Sequence, residues 1–339
     1  MTTLTHSRSA DGRSELIRLL SDGELHSGEA LAKKLCCTRT AVWKQLGRLR
    51  TLGLQIESER GRGYRIARPI ELLQRERVLR HLDESAAGAI ESLEISDVMD
   101  STSERLRGSA PPSPGKMRIA LAEYQTGGRG RRGRQWFSPF ASGLCLSVSW
   151  HYEQAPRALS GLSLAAGVAV LNALQAWGPQ GLGLKWPNDL VVGDHKLAGL
   201  LVDMDGEMTG PIKLVVGVGV NLDSPDELKA QVTELSGMAP IGLRDIASNA
   251  DVSRNELAAA IIGSLFAGLA DYGRAGFDSV ADKWRQHDAL YDRRVSVQQG
   301  DRLLQGVAKG VGEDGSLQLS IDGERVSLVS GDVTVRASV

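Results

Sequence analysis

TGGRGRRGRQ, residues 126–135, packs four glycines (127, 128, 130 and 133) and four arginines (129, 131, 132 and 134) between the strand-like runs MRIALAEY (117–124) and LCLSVSW (144–150). Gly128, Gly130 and Gly133 formally spell G-x-G-x-x-G. A dinucleotide fingerprint needs a helix directly after it, so that the helix N-terminus meets the pyrophosphate. Here WFSPFASG (136–143) follows, and Pro139 and Gly143 break any helix. The dinucleotide reading fails on context, and a P-loop is absent because Gly115-Lys116 runs into Met117. What remains is a loop between strands whose glycine amides can close around an anion while its arginines supply fixed positive charge. The competing reading is a solvated loop or an RNA-tethering arginine-glycine tract, but such tracts occupy long disordered tails rather than the inside of a folded domain. So arginine-rich a loop is expected to stay mobile until an anionic ligand neutralises it.

Downstream, KWPNDL (185–190) holds Lys185 ahead of a stiff backbone, since Pro187 fixes its own φ and restricts Trp186. An ammonium preset in this way can bridge a carboxylate and a phosphate. Asp189 has the chemistry to hold Mg2+ or to deprotonate an amine, although read alone Asn188-Asp189 is a turn and Lys185 a strand-end lysine. Apolar runs at 95–99, 117–124, 144–150, 196–203 and 213–220 read as strands, and 103–108, 157–177 and 254–272 as helices. The fold class is α+β and multidomain, with a mixed sheet covered by helices at its centre. Beyond Arg293, short alternating strands with turn signals at 312–315 (GEDG) and Asp322-Gly323 describe a small β-barrel.

Upstream, 14–20, 27–35 and 38–52 have helical patterns. In the third, Val42, Leu46 and Leu49 share one face, and Thr40, Lys44 and Arg48 the opposite one. Gly53 suits a C-terminal cap, and a hairpin follows that turns at RGRG (60–63). This predicts a helix-turn-helix with a wing, placing Arg39, Thr40, Lys44, Gln45 and Arg48 on DNA from the third helix and Arg62 and Arg65 from the wing. The alternative is a docking module with a solvated basic face. Residues 67–75, with Pro69, read as a linker.

Composition is ordinary for a globular chain. The 339 residues are 42% hydrophobic and 24% charged, which excludes a disordered or collagen-like chain. The net charge of −1 conceals a basic head: residues 1–68 carry 13 Lys and Arg against 7 Asp and Glu. Cys36, Cys37 and Cys145 offer neither a disulfide framework nor a zinc spacing, so a reducing cytoplasm is expected. Residues 1–20 lack a signal-peptide core, and 161–177 fall short of the roughly 20 residues of a membrane span, so no membrane partner is expected.

AEYQTGGRGRRGRQWFSPFASGLCLS (122–147), KWPNDL, HKLAGLLVD (195–203) and GVGVNL (217–222) together closely resemble the bacterial bifunctional biotin-protein ligase and biotin operon repressor family. The likeness covers nearly the whole chain. SGEALAKKL (27–35), TRTAVWKQL (38–46) and GRGYRI (61–66) mark the repressor type, because monofunctional relatives lack that head. The resemblance implies a winged helix-turn-helix at 1–68, a class II-synthetase-like catalytic domain at 76–290 and an SH3-like barrel at 293–339. It implies biotin, ATP and Mg2+ as ligands, with the metal-binding residues left unassigned. Biotinyl-5′-AMP would be the intermediate and corepressor, and the partners would be a biotin carboxyl carrier protein, operator DNA and a second copy in a ligand-promoted homodimer.

Carried over residue by residue, the resemblance implies that Lys185 and Arg131 are catalytic. Around biotin it puts Ser101, Thr102, Ser103, Gln125, Gly128, Arg129, Gly130, Arg131, Lys185, Gly217 and Gly219. Around ATP it puts Arg131, Arg132, Arg134, Trp136, Asn188, Lys196, Asn221 and Arg336. Ser103 stands where the family pattern has asparagine, and Ser101-Thr-Ser-Glu104 also reads as a helix capping box. The readings to be separated from this one are a lipoate ligase, a ligand-sensing repressor without catalysis, and a ligase whose head does not bind DNA.

Overall fold

The computed structural model describes residues 4–156, 159–206, 210–224, 229–230, 232–234, 237–247 and 251–335. Three helices open the chain, α1 (Leu4–Leu20), α2 (Gly28–Lys34) and α3 (Arg39–Thr51), followed by the antiparallel pair β1 (Ile56–Glu59) and β2 (Gly63–Ile66). Side-chain oxygens start the second and third helices: Ser27 Oγ accepts from Ala30 N at 3.1 Å and Thr38 Oγ1 from Ala41 N at 3.2 Å. Val42, Leu46 and Leu49 are fully buried against Leu16, Ile17, Leu20 and Leu31, which makes the head a separate small core. The first helix begins at Leu4 rather than Ser14, because the polar stretch before Ser14 carries no apolar periodicity to announce it.

The stretch read as a linker is firmly held. Leu73 N donates to Glu123 Oε1 at 2.6 Å and Gln74 N to Asn255 Oδ1 at 2.8 Å. The Glu71 carboxylate accepts from Arg254 N and Ser253 Oγ, and so sits on the N-terminus of the helix Arg254–Ala275. A second seam joins head to body, where Phe140 N donates to Leu52 O at 3.0 Å and Phe140 packs into the head's core.

Seven strands form the central sheet: β3 (Ile90–Met99), β4 (Met117–Gln125), β5 (Gly143–Tyr152), β6 (Leu182–Lys185), β7 (Asp189–Val192), β8 (His195–Gly206) and β9 (Ile212–Asn221). Their order is β3-β4-β5-β9-β8-β7-β6, with β3 and β4 parallel and the other pairs antiparallel. Strand alternation assigns the two faces. Leu214, Val216, Val218 and Val220 of β9, with Leu144, Leu146 and Val148 of β5, pack under the helices Leu162–Leu174 and Arg254–Ala275. The intervening Gly217 and Gly219 face the other way. A Cβ on Gly217 would meet Ser103 Oγ at 2.4 Å, and one on Gly219 would meet the Trp136 ring at 2.2 Å. Burying each valine or leucine contributes roughly 1.5–3 kcal/mol, which outweighs the ~0.5–1 kcal/mol that each glycine costs a strand.

KWPNDL, whose last residues read as a turn, is the β6–β7 hairpin, with Lys185 paired to Asp189 in register. Short helices at Arg75–Arg80, Glu84–Gly88 and Ala281–His287 carry too few periodic positions to stand out in the sequence. Residues 159–177 and 254–279 are long and apolar enough to cross a membrane, yet both contribute to the protein core. The C-terminal strands β10 (Arg294–Gln299), β11 (Arg302–Val311), β12 (Leu317–Ile321), β13 (Glu324–Leu328) and β14 (Asp332–Val335) make an antiparallel sheet ordered β13-β12-β11-β10-β14. It is fastened to the body where Trp186 Nε1 donates to Gly315 O at 3.1 Å.

Candidate active site

The ends of β4, β8 and β9, the helix Thr102–Arg107, the loop after β4 and the edge of β14 enclose a cleft of about 550 Å3. Of the residues expected at a ligand, Ser101, Thr102, Ser103, Gln125, Arg129, Gly130, Arg131, Arg134, Trp136, Lys185, Asn188, Lys196, Gly217, Gly219 and Asn221 line it. Gly128 and Arg132 do not, and Arg336 lies outside the described residues. Gly128 serves the loop itself: its carbonyl accepts from Trp136 N at 2.9 Å, and a Cβ there would meet Trp136 O at 2.3 Å.

The arginine-glycine loop is folded back on itself as a short hairpin, with Gly130 N donating to Arg134 O at 2.7 Å. Its counter-anion comes from within the chain. Asp332 of β14 accepts from Arg134 Nη2 at 2.9 Å and from Arg132 Nη1 at 3.2 Å, so Arg132 turns toward the C-terminal sheet rather than the cleft. Nothing in the sequence marked Asp332, because an arginine-carboxylate contact across some two hundred positions leaves no local pattern. Arg131, by contrast, is drawn inward, and burial pushes its pKa down, opposed by Asp332 and Asp189.

One end of the cleft is floored by uncharged polar groups. Gln125 Oε1 accepts from Thr102 N at 2.7 Å and from Thr102 Oγ1 at 3.1 Å; Ser147 Oγ donates to Thr102 Oγ1 at 2.8 Å and lies 3.0 Å from Ser103 Oγ. Ser147 was missed in the sequence, although a serine within LCLSVSW is a polar position on the face opposite the leucines. Ser101 does cap the helix Thr102–Arg107, its Oγ accepting from Glu104 N at 3.4 Å. The capping box is only half formed, since Glu104 pairs instead with Arg129 and Arg107.

The other end is cationic. Lys185 is nine-tenths buried, its Nζ 2.9 Å from Met238 Sδ, and burial pushes its pKa down while Asp189 opposes the shift. Lys196 Nζ pairs with Asp189 at 2.6 Å and stands 5.8 Å from the centre of the Trp136 ring. Asn221 Nδ2 donates to Lys196 O at 3.0 Å and Asn188 Nδ2 to Leu200 O, so both amides brace the wall. Cys145, on β5 opposite Gly219, is buried behind the cleft, and burial pushes its thiol up to about 11, against a thiolate. Among the described residues no three His, Cys, Asp or Glu side chains gather to hold a metal. The arrangement can take a neutral hydrogen-bonding head at one end and stabilise growing negative charge at the other.

In the head, Arg39, Thr40, Lys44, Arg48 and Arg62 are exposed. Gln45 is half-buried beside Gly12 of α1, off the open face. Arg62 pairs with Glu59, and Arg65 with Glu57 at 2.7 Å, so the hairpin's arginines are partly neutralised by their own strands.

Residues 95–221 match the Biotin/lipoate A/B protein ligase family, and residues 13–65 match an HTH domain. The chain is 35% identical over 326 residues to the bifunctional ligase/repressor BirA of Salmonella typhimurium, covering 95% of this chain and 97% of that protein. It is 34% identical over 221 residues to the biotin--[acetyl-CoA-carboxylase] ligase of Mycobacterium tuberculosis, covering 63% of this chain and 77% of that one. Its fold is similar to that of the biotin protein ligase from Aquifex aeolicus in complex with biotin and ATP, with a TM-score of 0.58 at 26% identity, covering 74% of this chain and 99% of the other.

Proposed function

Because the chain belongs to the family of bifunctional biotin ligases and repressors, we propose that it forms biotinyl-5′-AMP from biotin and ATP, passes biotin to a lysine of a biotin carboxyl carrier protein, and uses biotinyl-5′-AMP as corepressor of biotin-synthesis genes. The observation that carries this reading is the joining, in one cleft, of the Thr102–Gln125–Ser147–Ser103 network to the buried Lys185 and the half-buried Arg131. The uncharged end suits the ureido ring of biotin. The cationic end suits the meeting of its carboxylate with the α-phosphate.

In this scheme Ser101, Thr102, Ser103, Gln125, Arg129 and the faces of Gly217 and Gly219 hold biotin. Lys185 and Arg131 draw the carboxylate onto the α-phosphate and stabilise the charge that builds on the phosphoryl oxygens as pyrophosphate leaves. Trp136, Lys196 and Asn221 stand on the adenine side, and Arg134 would exchange Asp332 for the leaving pyrophosphate. The cleft's carboxylates do not fit a protein-held metal: Asp189, Asp194 and Asp332 are committed to Lys196, to Arg293, and to Arg132 with Arg134. Mg2+ would therefore arrive on the triphosphate. The units would be a winged helix-turn-helix at 1–68, a catalytic domain at 76–290 and an SH3-like barrel at 293–339, in a cytoplasmic protein. The direct test incubates the protein with ATP, a carrier domain and either biotin or lipoate, and weighs the carrier. Mass gained on its lysine with biotin alone supports the reading; gain with lipoate alone makes this a lipoate ligase.

For the head, Arg39→Ala and Lys44→Ala are expected to weaken operator binding and lower the salt slope by roughly one unit per lost phosphate contact, leaving ligation unchanged. Titration of operator DNA at several salt concentrations measures this, and wild-type slopes in both variants would leave the head a docking module. Biotin with ATP should also drive the protein to dimers that place two recognition helices on two half-sites. Sedimentation with and without the ligands reads this out; a mass indifferent to them would remove the switch but not the ligase.

A further inference from the structure

Lys213 lies on β9 outside the cleft, on the same strand face as Gly217 and Gly219, and is nine-tenths buried. Its Nζ donates to three backbone carbonyls: Leu106 O at 2.7 Å, Arg107 O at 2.8 Å, and Ser109 O. Leu106 and Arg107 end the helix Thr102–Arg107, whose last carbonyls have no partner within the helix, and Ser109 follows just beyond its Gly108 cap. A charged donor buried there satisfies three acceptors at once and opposes the negative end of the helix dipole.

That helix has six residues, well below the length at which a helix holds by itself in water. Its position is therefore set by what grips it. At its N-terminal end Gln125 Oε1 accepts from Thr102 N, and Ser103 Oγ rests on the bare backbone of Gly217. Leu106 packs with Val215 and Ala120 midway. Lys213 holds the far end, so one strand supports the helix at three successive positions of a single face: 213, 215 and 217. The helix carries Ser101, Thr102 and Ser103 into the cleft, and its Glu104 pairs with Arg129 of the arginine-glycine loop.

We propose that Lys213 is a positioning residue for biotin, fixing Ser101, Thr102 and Ser103 by gripping the opposite end of their helix. The inference rests on the reading of the cleft given above. Lys213 touches no ligand in this scheme, and the ATP side of the cleft is built on Trp136, Lys185 and Lys196, none of which belongs to that helix.

The test measures biotin affinity by calorimetry, and KM for ATP in adenylate formation, for the full chain and for Lys213→Met, Lys213→Gln and Lys213→Arg. Lys213→Met keeps the stem but removes every donor, and is expected to weaken biotin about ten-fold or more while the KM for ATP moves less than two-fold. Lys213→Arg, which keeps charge and donors, is expected to recover most of the loss. Should Lys213→Met fail to fold, Lys213→Gln, with two N–H donors and no charge, takes its place and should fall between. Biotin binding within two-fold of wild type in a folded Met or Gln variant overturns the proposal, as does an equal weakening of biotin and ATP, which is the mark of a merely structural role. If the wild-type chain itself binds no biotin, the reading of the cleft fails first and takes this inference with it.

Discussion

Lys185→Ala is expected to slow formation of biotinyl-5′-AMP about 100- to 1,000-fold, a loss of ~3–4 kcal/mol in stabilisation of the transition state. Lys185 can have so large an effect because it is sunk in the wall and lined up by the β6–β7 hairpin, so little water screens its charge. Negative charge that builds at the α-phosphate would meet an ammonium already in place, with no reorganisation to make. Stability should be little changed, since the hydrogen-bond partner of Nζ among the described residues is a thioether at 2.9 Å and a buried ammonium is itself unfavourable. The pKa direction adds a second expectation. Burial holds the Lys185 ammonium below the ordinary lysine value, so rising pH removes its proton early, and the wild-type rate should fall on the alkaline side before an ordinary lysine titrates. Single-turnover adenylate formation across pH checks both. A variant with a near-normal rate would take Lys185 out of the chemistry.

Arg254→Met is expected to destabilise the chain by roughly 3–5 kcal/mol and lower its melting temperature by on the order of 10 °C. Arg254 and Glu123 are 1% and 2% exposed at the side chain, with Nη1 and Oε2 2.5 Å apart. The guanidinium also donates to Gly143 O at 2.9 Å and to Glu71 O at 2.7 Å. Methionine fills similar volume yet leaves the Glu123 carboxylate buried, with Leu73 N as its remaining partner among the described residues. The variant should also loosen the head, because Arg254 and its neighbours Ser253 and Asn255 hold the 71–74 stretch. Pairing it with Glu123→Leu should recover most of the loss, since an apolar pair replaces the orphaned charge. Calorimetric melting of the two variants decides. A single variant within about 1 kcal/mol of wild type would mean that the site relaxes or admits water.

How much of this was legible in the chain depends on the range of the interaction. Val42, Leu46 and Leu49 announced their helix because a buried face repeats every three to four positions, and the apolar run at 213–220 announced a strand. The failure of a helix after TGGRGRRGRQ removed the wrong fold through Pro139 and Gly143. The arginine loop's own closure through Gly128 was hidden, because a glycine demanded by a neighbouring carbonyl looks the same as one demanded by a ligand. Gln45 is expected on DNA as a residue of the recognition helix, while its side chain is half-buried beside Gly12 of α1. Asp332, Lys213 and the Glu71–Arg254–Glu123 junction were illegible for a common reason. Each joins elements far apart in sequence, and a single buried charge carries no periodicity. The stretch at 67–75 had the composition of a linker, while its backbone amides were committed to side chains on β4 and on the helix Arg254–Ala275.

Activation of biotin with ATP in one cleft has a direct signature. Biotin-dependent exchange of labelled pyrophosphate into ATP by the purified full-length chain tests it most directly, because exchange requires the adenylate to form reversibly and needs neither carrier nor DNA. Exchange is expected to start on addition of biotin and not to start with lipoate. Exchange with lipoate and not biotin, or none with either, would contradict it.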